Sequence, residues 1–230
     1  MELTLLANAL TAAAAVWVVN RIIRPPLENA TDALLGAAAV GLLVGRLAAM
    51  IEAGVNPVLR PGDILVVRGG VSTGFAALGA LAALVWTYRT QLPDAVDQLA
   101  AAALAGLAGW HGGCVWRDTC LGTTTDLPWA MTAPGSTAGR HPVEIYTAVL
   151  LVTAAWVVYR MRAHPGVASG LGLSLTGAIR LGTDPLRLSI VGGPTAWYLT
   201  AIIAGIALVG LQRLTRTRPP GPSSITIVPP

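Results

Sequence analysis

Charge is scarce in this chain. Only 11% of its 230 residues are Asp, Glu, Lys or Arg, lysine is absent, and all fifteen basic residues are arginine. With 54% hydrophobic residues and a mean hydropathy of +0.65, this composition excludes an ordinary soluble domain and reads as a membrane protein. The isoelectric point near 9.7 invites a nucleic-acid reading. The arginines, however, lie scattered between apolar runs rather than in a basic stripe, so they orient a chain in a bilayer and no nucleic-acid partner is expected. Cysteine is nearly absent too. Cys114 and Cys120 are too few for a disulfide scaffold and too far apart for a zinc ribbon or a two-residue redox pair. In an oxidising compartment their spacing admits a disulfide without requiring one.

What is present is long apolar segments. A bilayer span needs about 20 mostly apolar residues, and the sequence offers about seven, near 3–20, 33–52, 71–88, 96–112, 143–160, 167–182 and 194–212. The expected fold is therefore all-α and polytopic. The sixth segment is short and holds Gly166, Gly170, Gly172 and Gly177, which suggests a tightly packed, broken or re-entrant helix. The alanine runs 12–15 and 100–103 read as small-residue faces for close helix packing. Residues 1–19 resemble a signal peptide, but Glu2 precedes the apolar run and Arg21 and Arg24 follow it. A cleaved signal has the opposite polarity, so this is read as a retained first span with its N-terminus outside. Arginine counts agree, with eight in short inner links and five in long outer loops, which puts the C-terminus in the cytoplasm. Residues 1–214 form the expected membrane domain, and the Pro- and Ser-rich 215–230 a disordered cytoplasmic tail.

This topology places the long polar connections, 53–70, 113–142 and 183–193, on one outer face. Reactive side chains gather there. The stretch 110–146 contains both cysteines, His111 and His141, and then Glu144 and Tyr146. Two histidines at the mouth of one loop suit proton transfer, because imidazole titrates near working pH. His111, Cys114, Asp118, Cys120 and His141 also carry donor atoms for a metal, but match no zinc spacing, so no metal is expected. Glu144 beside Pro142 has a plain reading as a helix-start residue favouring the positive dipole end. Asp126 before Leu127-Pro128 reads as a turn former. Arg46 and Arg180 lie inside apolar segments, where a guanidinium must find a partner: either a structural acceptor or a lipid phosphate. Gly69, Gly70 and Ser72 open the third span, and backbone N–H groups at such a helix start can face an anion.

Three groups of residues resemble the prolipoprotein diacylglyceryl transferase family. They are Gly45-Arg46-Leu47 with Pro61-Gly62-Asp63 and Gly69-Gly70-Val71-Ser72; Gly113-Cys114 with Cys120-Leu121-Gly122 and Thr125-Asp126-Leu127-Pro128-Trp129-Ala130; and His141-Pro142 with Tyr146. The resemblance implies a seven-span enzyme of the bacterial cytoplasmic (inner) membrane that uses no cofactor. It would move diacylglycerol from phosphatidylglycerol to the lipobox cysteine of a prolipoprotein signal peptide, forming a thioether and releasing glycerol phosphate. His111, His141 and Tyr146 become its expected catalytic residues, and Arg46, Gly69, Gly70, Ser72, Gly122, Asp126, Glu144 and Arg180 its substrate-binding ones. The chain departs from the family by placing His111 where an arginine is usual, Gly74 where a histidine is usual, and Arg180 without the usual glutamate one turn away. The competing expectation is a non-catalytic protein of the same fold, binding lipid as an accessory subunit of a membrane complex.

Overall fold

The computed structural model describes residues 3–24, 27, 29–65, 70–117, 120–162, 166–188 and 195–216. Gly69 and most of the expected tail, residues 217–230, lie outside the described residues. The chain is mostly helical. Its helices are α1 (Leu3–Ile23), α2 (Ala30–Glu52), the four-residue α3 (Gly62–Leu65), α4 (Thr73–Thr87), α5 (Leu92–Gly112), α6 (Val143–Met161), α7 (Val167–Thr183) and α8 (Thr195–Arg216). Two-residue strands β1 (Met131–Thr132) and β2 (Gly139–Arg140) pair antiparallel in the long loop between α5 and α6. Among the described residues, three helices are long and apolar enough to cross a membrane: Ala30–Glu52, Val143–Met161 and Thr195–Leu214.

Local chemistry sets several boundaries. Proline in the first turn starts α5, where a missing N–H costs nothing. Pro142 stands just before α6 in the same way. Gly166, at φ +74°, turns the chain into α7 through a conformation that side-chain-bearing residues avoid.

Small residues then let the helices close on one another. A methyl group at Gly109 would lie 2.5 Å from the Thr11 carbonyl oxygen, and one at Gly170 would lie 2.7 Å from that of Gly205. These contacts hold α5 against α1 and α7 against α8, the packing that apolar helices without a hydrophobic drive between them require. Of the three readings of the sixth segment, tightly packed, broken or re-entrant, they favour the first. α7 is continuous for 17 residues: Gly170 and Gly177 serve the α8 interface, and Gly172 faces Leu104 of α5 and Val158 of α6. Two buried clusters complete the core, one around Leu104, Leu151 and Val158, the other around Leu34, Tyr88 and Leu99.

At one end of the bundle arginines stack on aromatic rings three or four residues before them: Arg21 on Trp17, Arg89 on Trp86, Arg160 on Trp156 and Arg162 on Tyr159, at 4.4–5.5 Å from the ring centres. At the same end Asp97 of α5, only 4% exposed, accepts the backbone N–H groups of Gly166 and Ser169 and so caps α7 from a neighbouring helix. Asp97→Ala leaves both donors buried and empty. It is expected to cost about 2 kcal/mol or more, a charged hydrogen-bond acceptor's usual contribution, and a melt of the purified variant in detergent measures it.

Candidate active site

α5 and α6 run antiparallel, so the last turn of one meets the first turn of the other. There Glu144 bridges a histidine and an arginine. One carboxylate oxygen pairs with His111 Nδ1 and the other with Arg187 Nη1. Arg187 also donates through Nη2 to the hydroxyl of the fully buried Thr147, at 3.4 Å. The His111 and Glu144 side chains are only 13% and 20% exposed, so water screens the pair weakly. An ionised carboxylate only accepts. Nδ1 of His111 therefore carries the proton, and Nε2 is left as the basic atom of an imidazole whose orientation the carboxylate fixes.

The loop between the two helices is tied to this pair at several points. Cys114, three residues after His111, is joined by a disulfide to Cys120, whose carbonyl accepts the N–H of Glu144 at 3.4 Å. A closed loop this short contributes less than about 3 kcal/mol through unfolded-chain entropy. The pairing that the sequence left open is thus made, and its consequence is mainly local. The disulfide also takes two sulfurs out of the metal-ligand set considered above, and among the described residues no group of three metal-binding side chains gathers. Next, Gly122 N–H donates to the His141 carbonyl at 2.7 Å and Thr123 N–H to the Leu186 carbonyl at 2.8 Å. A methyl group at Gly122 would collide with that Leu186 oxygen and with Val143. Gly122 therefore serves close backbone approach, bringing the loop against the segment that carries Arg187.

Two of the sequence motifs meet directly. Trp129 Nε1 donates to the Tyr146 hydroxyl at 2.7 Å, joining the Thr-Asp-Leu-Pro-Trp and His-Pro-x-x-x-Tyr segments. The His141 ring stands edge-on to Tyr146, 6.1 Å between centres, and its buried Nδ1 has no hydrogen-bond partner among the described residues. Asp126 is exposed, in the irregular stretch just before the Pro128–Trp129 turn.

Other expected site residues lie apart. Arg46, 6% exposed, finds the partners that an arginine in an apolar helix needs in backbone oxygens. It donates to the Asp63 carbonyl at 2.8 and 3.2 Å and to the Gly70 carbonyl at 3.0 Å, tying α3 and Gly70 to α2. Ser72 donates to Glu52 at 3.3 Å. Arg180 donates to the Tyr198 hydroxyl at 3.0 Å and lies over that ring, while its Nη1 is buried with no hydrogen-bond partner among the described residues. Where the family has a histidine, Gly74 leaves its space to the Trp197 ring, 3.5 Å from where a methyl group would stand.

Below the polar group, α6 and α7 part to form an apolar groove of about 690 Å³. Val149, Leu150, Ala178 and Ile179 line it, with Tyr146, Thr183 and Leu186 toward the Glu144 end.

The family model for prolipoprotein diacylglyceryl transferase matches residues 5–212, nearly all of the chain. The chain belongs to that family. Among curated relatives, the phosphatidylglycerol–prolipoprotein diacylglyceryl transferase of Rhizobium meliloti is 30% identical over 84% of this chain and 75% of its own length. The protein of that name from Methylocella silvestris is 30% identical over 88% and 82%. That from Pseudomonas aeruginosa is 26% identical over 79% and 76%.

For this diacylglyceryl transferase family member, the sequence reading overlooked Arg187 and Thr147. It also noted that Arg180 lacks the usual glutamate one turn away, without weighing Asp184. Asp184 stands four residues after Arg180 as the C-cap of α7, and the chain continues as a tight helical turn, Asp184–Leu186. The spacing Arg180, Asp184, Arg187 is that of successive turns on one helix face. That was the available signal, and ending the span at residue 182 hid it.

Proposed function

We propose that this chain transfers the diacylglyceryl group of phosphatidylglycerol to the lipobox cysteine of prolipoproteins. In this reading it spans the bacterial cytoplasmic membrane seven times with its N-terminus outside, so that the His111 end of the bundle faces the extracytoplasmic side. The observation that carries the reading is the His111–Glu144–Arg187 group, held at the head of an apolar groove, in a chain of this family.

Each demand of the reaction has a candidate. His111 Nε2 takes the proton of the lipobox thiol, with Glu144 holding the ring and balancing the imidazolium that forms. The thiolate sulfur attacks the glyceryl methylene carbon next to the phosphate. A C–S bond forms, the C–O bond to phosphate breaks, and glycerol phosphate leaves with the electron pair. Arg187 Nε and Arg180 Nη1, buried donors with no hydrogen-bond partner among the described residues, suit the departing oxyanion. Tyr146 and His141 border the same mouth, Asp126 lies just before the Pro128–Trp129 turn, and the groove suits acyl chains entering sideways from lipid. Arg46, Gly70 and Ser72 form a separate polar cluster at the end of α2, and Gly122 holds the long loop against the segment that carries Arg187.

Expression in cells depleted of their own transferase is the direct test. Restored lipoprotein maturation supports the proposal. Failure by a well-expressed, inserted protein overturns it in favour of a lipid-binding accessory subunit. The groove has a test of its own: a side chain added at Gly182 meets nothing within 4 Å of its Cβ and would grow into the groove. Gly182→Leu is expected to lower kcat/KM for phosphatidylglycerol about tenfold, with the melting temperature unchanged or raised because leucine favours helix.

A further inference from the structure

The proposed reaction puts a reactive thiol beside a protein disulfide, and the disulfide survives because it is hidden: Cys114 is 3% exposed and Cys120 1%. Its position also has a meaning for the chemistry. Cys114 follows His111 by three residues, immediately beyond α5, while the Cys120 carbonyl receives the N–H of Glu144. One covalent bond therefore links the backbone bearing the imidazole to the backbone that seats its carboxylate partner. On the α1 side Gly113 is packed so tightly that a methyl group there would lie 2.6 Å from Asn8 Oδ1 and 2.7 Å from the Thr11 hydroxyl. The Cys114 end of the bridge thus rests against the bundle, and the bridge transmits that fixed position to residue 120.

We propose that the Cys114–Cys120 disulfide is a positioning element for the His111–Glu144 pair, so that transferase activity requires the oxidised form. The inference rests on the function proposed above and adds a dependence on disulfide formation. A dithiol such as dithiothreitol reverses it stoichiometrically: the S–S bond is reduced to two thiols while the reagent is oxidised to its cyclic disulfide.

The experiment compares the oxidised protein, the same protein reduced under mild unfolding and returned to native buffer, and the Cys114→Ser/Cys120→Ser variant, all in detergent and in phosphatidylglycerol vesicles. Reduced and variant forms are expected to keep KM for phosphatidylglycerol within about twofold and to lose kcat on the order of a hundredfold, the cost of misplacing a reacting group by about an ångström. Reoxidation should restore kcat in the reduced wild type and not in the variant. In a His111→Ala background, breaking the disulfide should lower the residual rate no further, whereas a merely structural bond would lower both. A second readout needs no turnover. Carbethoxylation of His111 by diethyl pyrocarbonate, followed by peptide mass, should quicken several-fold on reduction as the ring leaves Glu144. Unchanged kcat in an active, fully reduced protein overturns the inference and leaves the transferase reading standing. If the oxidised wild type shows no transfer, that reading fails, and the labelling decides the positioning claim alone: an unchanged rate overturns it and a faster one sustains it.

Discussion

Replacing His111 with alanine is expected to lower kcat for diacylglyceryl transfer by about 10²–10⁴-fold, the range that a positioned general base contributes. KM for phosphatidylglycerol should move little, because in the proposed reaction the imidazole acts on the thiol and not on the lipid. His111→Gln separates shape from proton transfer, since glutamine can still donate to Glu144 but cannot carry a proton away. It should be as slow as alanine. A glutamine variant with near-normal kcat would remove His111 from the chemistry and leave the ring as a strut. The measurement is a steady-state assay with a lipobox peptide in phosphatidylglycerol micelles, made beside a thermal melt, because His111 pairs with a partly buried carboxylate.

The second large effect belongs to Arg187. Arg187→Ala strips Glu144 of its guanidinium partner and removes a donor from the mouth of the groove. A loss of about 10²–10³-fold in kcat is expected, the usual consequence of deleting a donor to a developing oxyanion. Lysine should not restore it, because the guanidinium reaches Glu144 and Thr147 with two different nitrogens and an ammonium has only one. Glu144→Gln tests the same group from its centre. Glu144 touches both His111 and Arg187, so the Glu144→Gln/Arg187→Ala double variant should be far less impaired than the product of the two single losses. Strictly multiplicative losses would show that the three residues work separately.

Apolar length alone located the scaffold. The seven apolar segments expected from the sequence coincide with the seven longer helices to within a few residues at most ends, because hydrophobic run length is a local property. The stretch 110–146 was likewise legible, since ionisable side chains in so apolar a chain stand out. Which of them meet was not. Glu144 read as an ordinary helix-start acid, yet it is the centre of the polar group, and Arg187 joins it across 43 residues of sequence. Such contacts depend on helix pairing, which periodicity does not encode. Arg46 shows the converse. Its burial was predictable and its need for a partner followed, but whether that partner was a lipid phosphate or a loop carbonyl depended on the fold of residues 53–70, where the short helix α3 lacks enough length for any pattern. The disulfide was left open for a similar reason: a six-residue separation permits bonding, and only the turn after α5 brings the sulfurs together.

The arginines stacked on Trp17, Trp86, Trp156 and Tyr159 lie at the far end of the bundle from His111, about 30 Å away along a 21-residue helix such as α5. Rings and guanidinium groups of this kind settle at a lipid–water boundary. In the proposed orientation they fix the molecule to one leaflet, and bilayer thickness then sets the height of the groove's mouth relative to the opposite headgroups. A thicker membrane would draw the reacting histidine beneath the phosphates it must meet, and a thinner one would lift it above them. In that orientation, the acyl composition of the host membrane is expected to influence turnover.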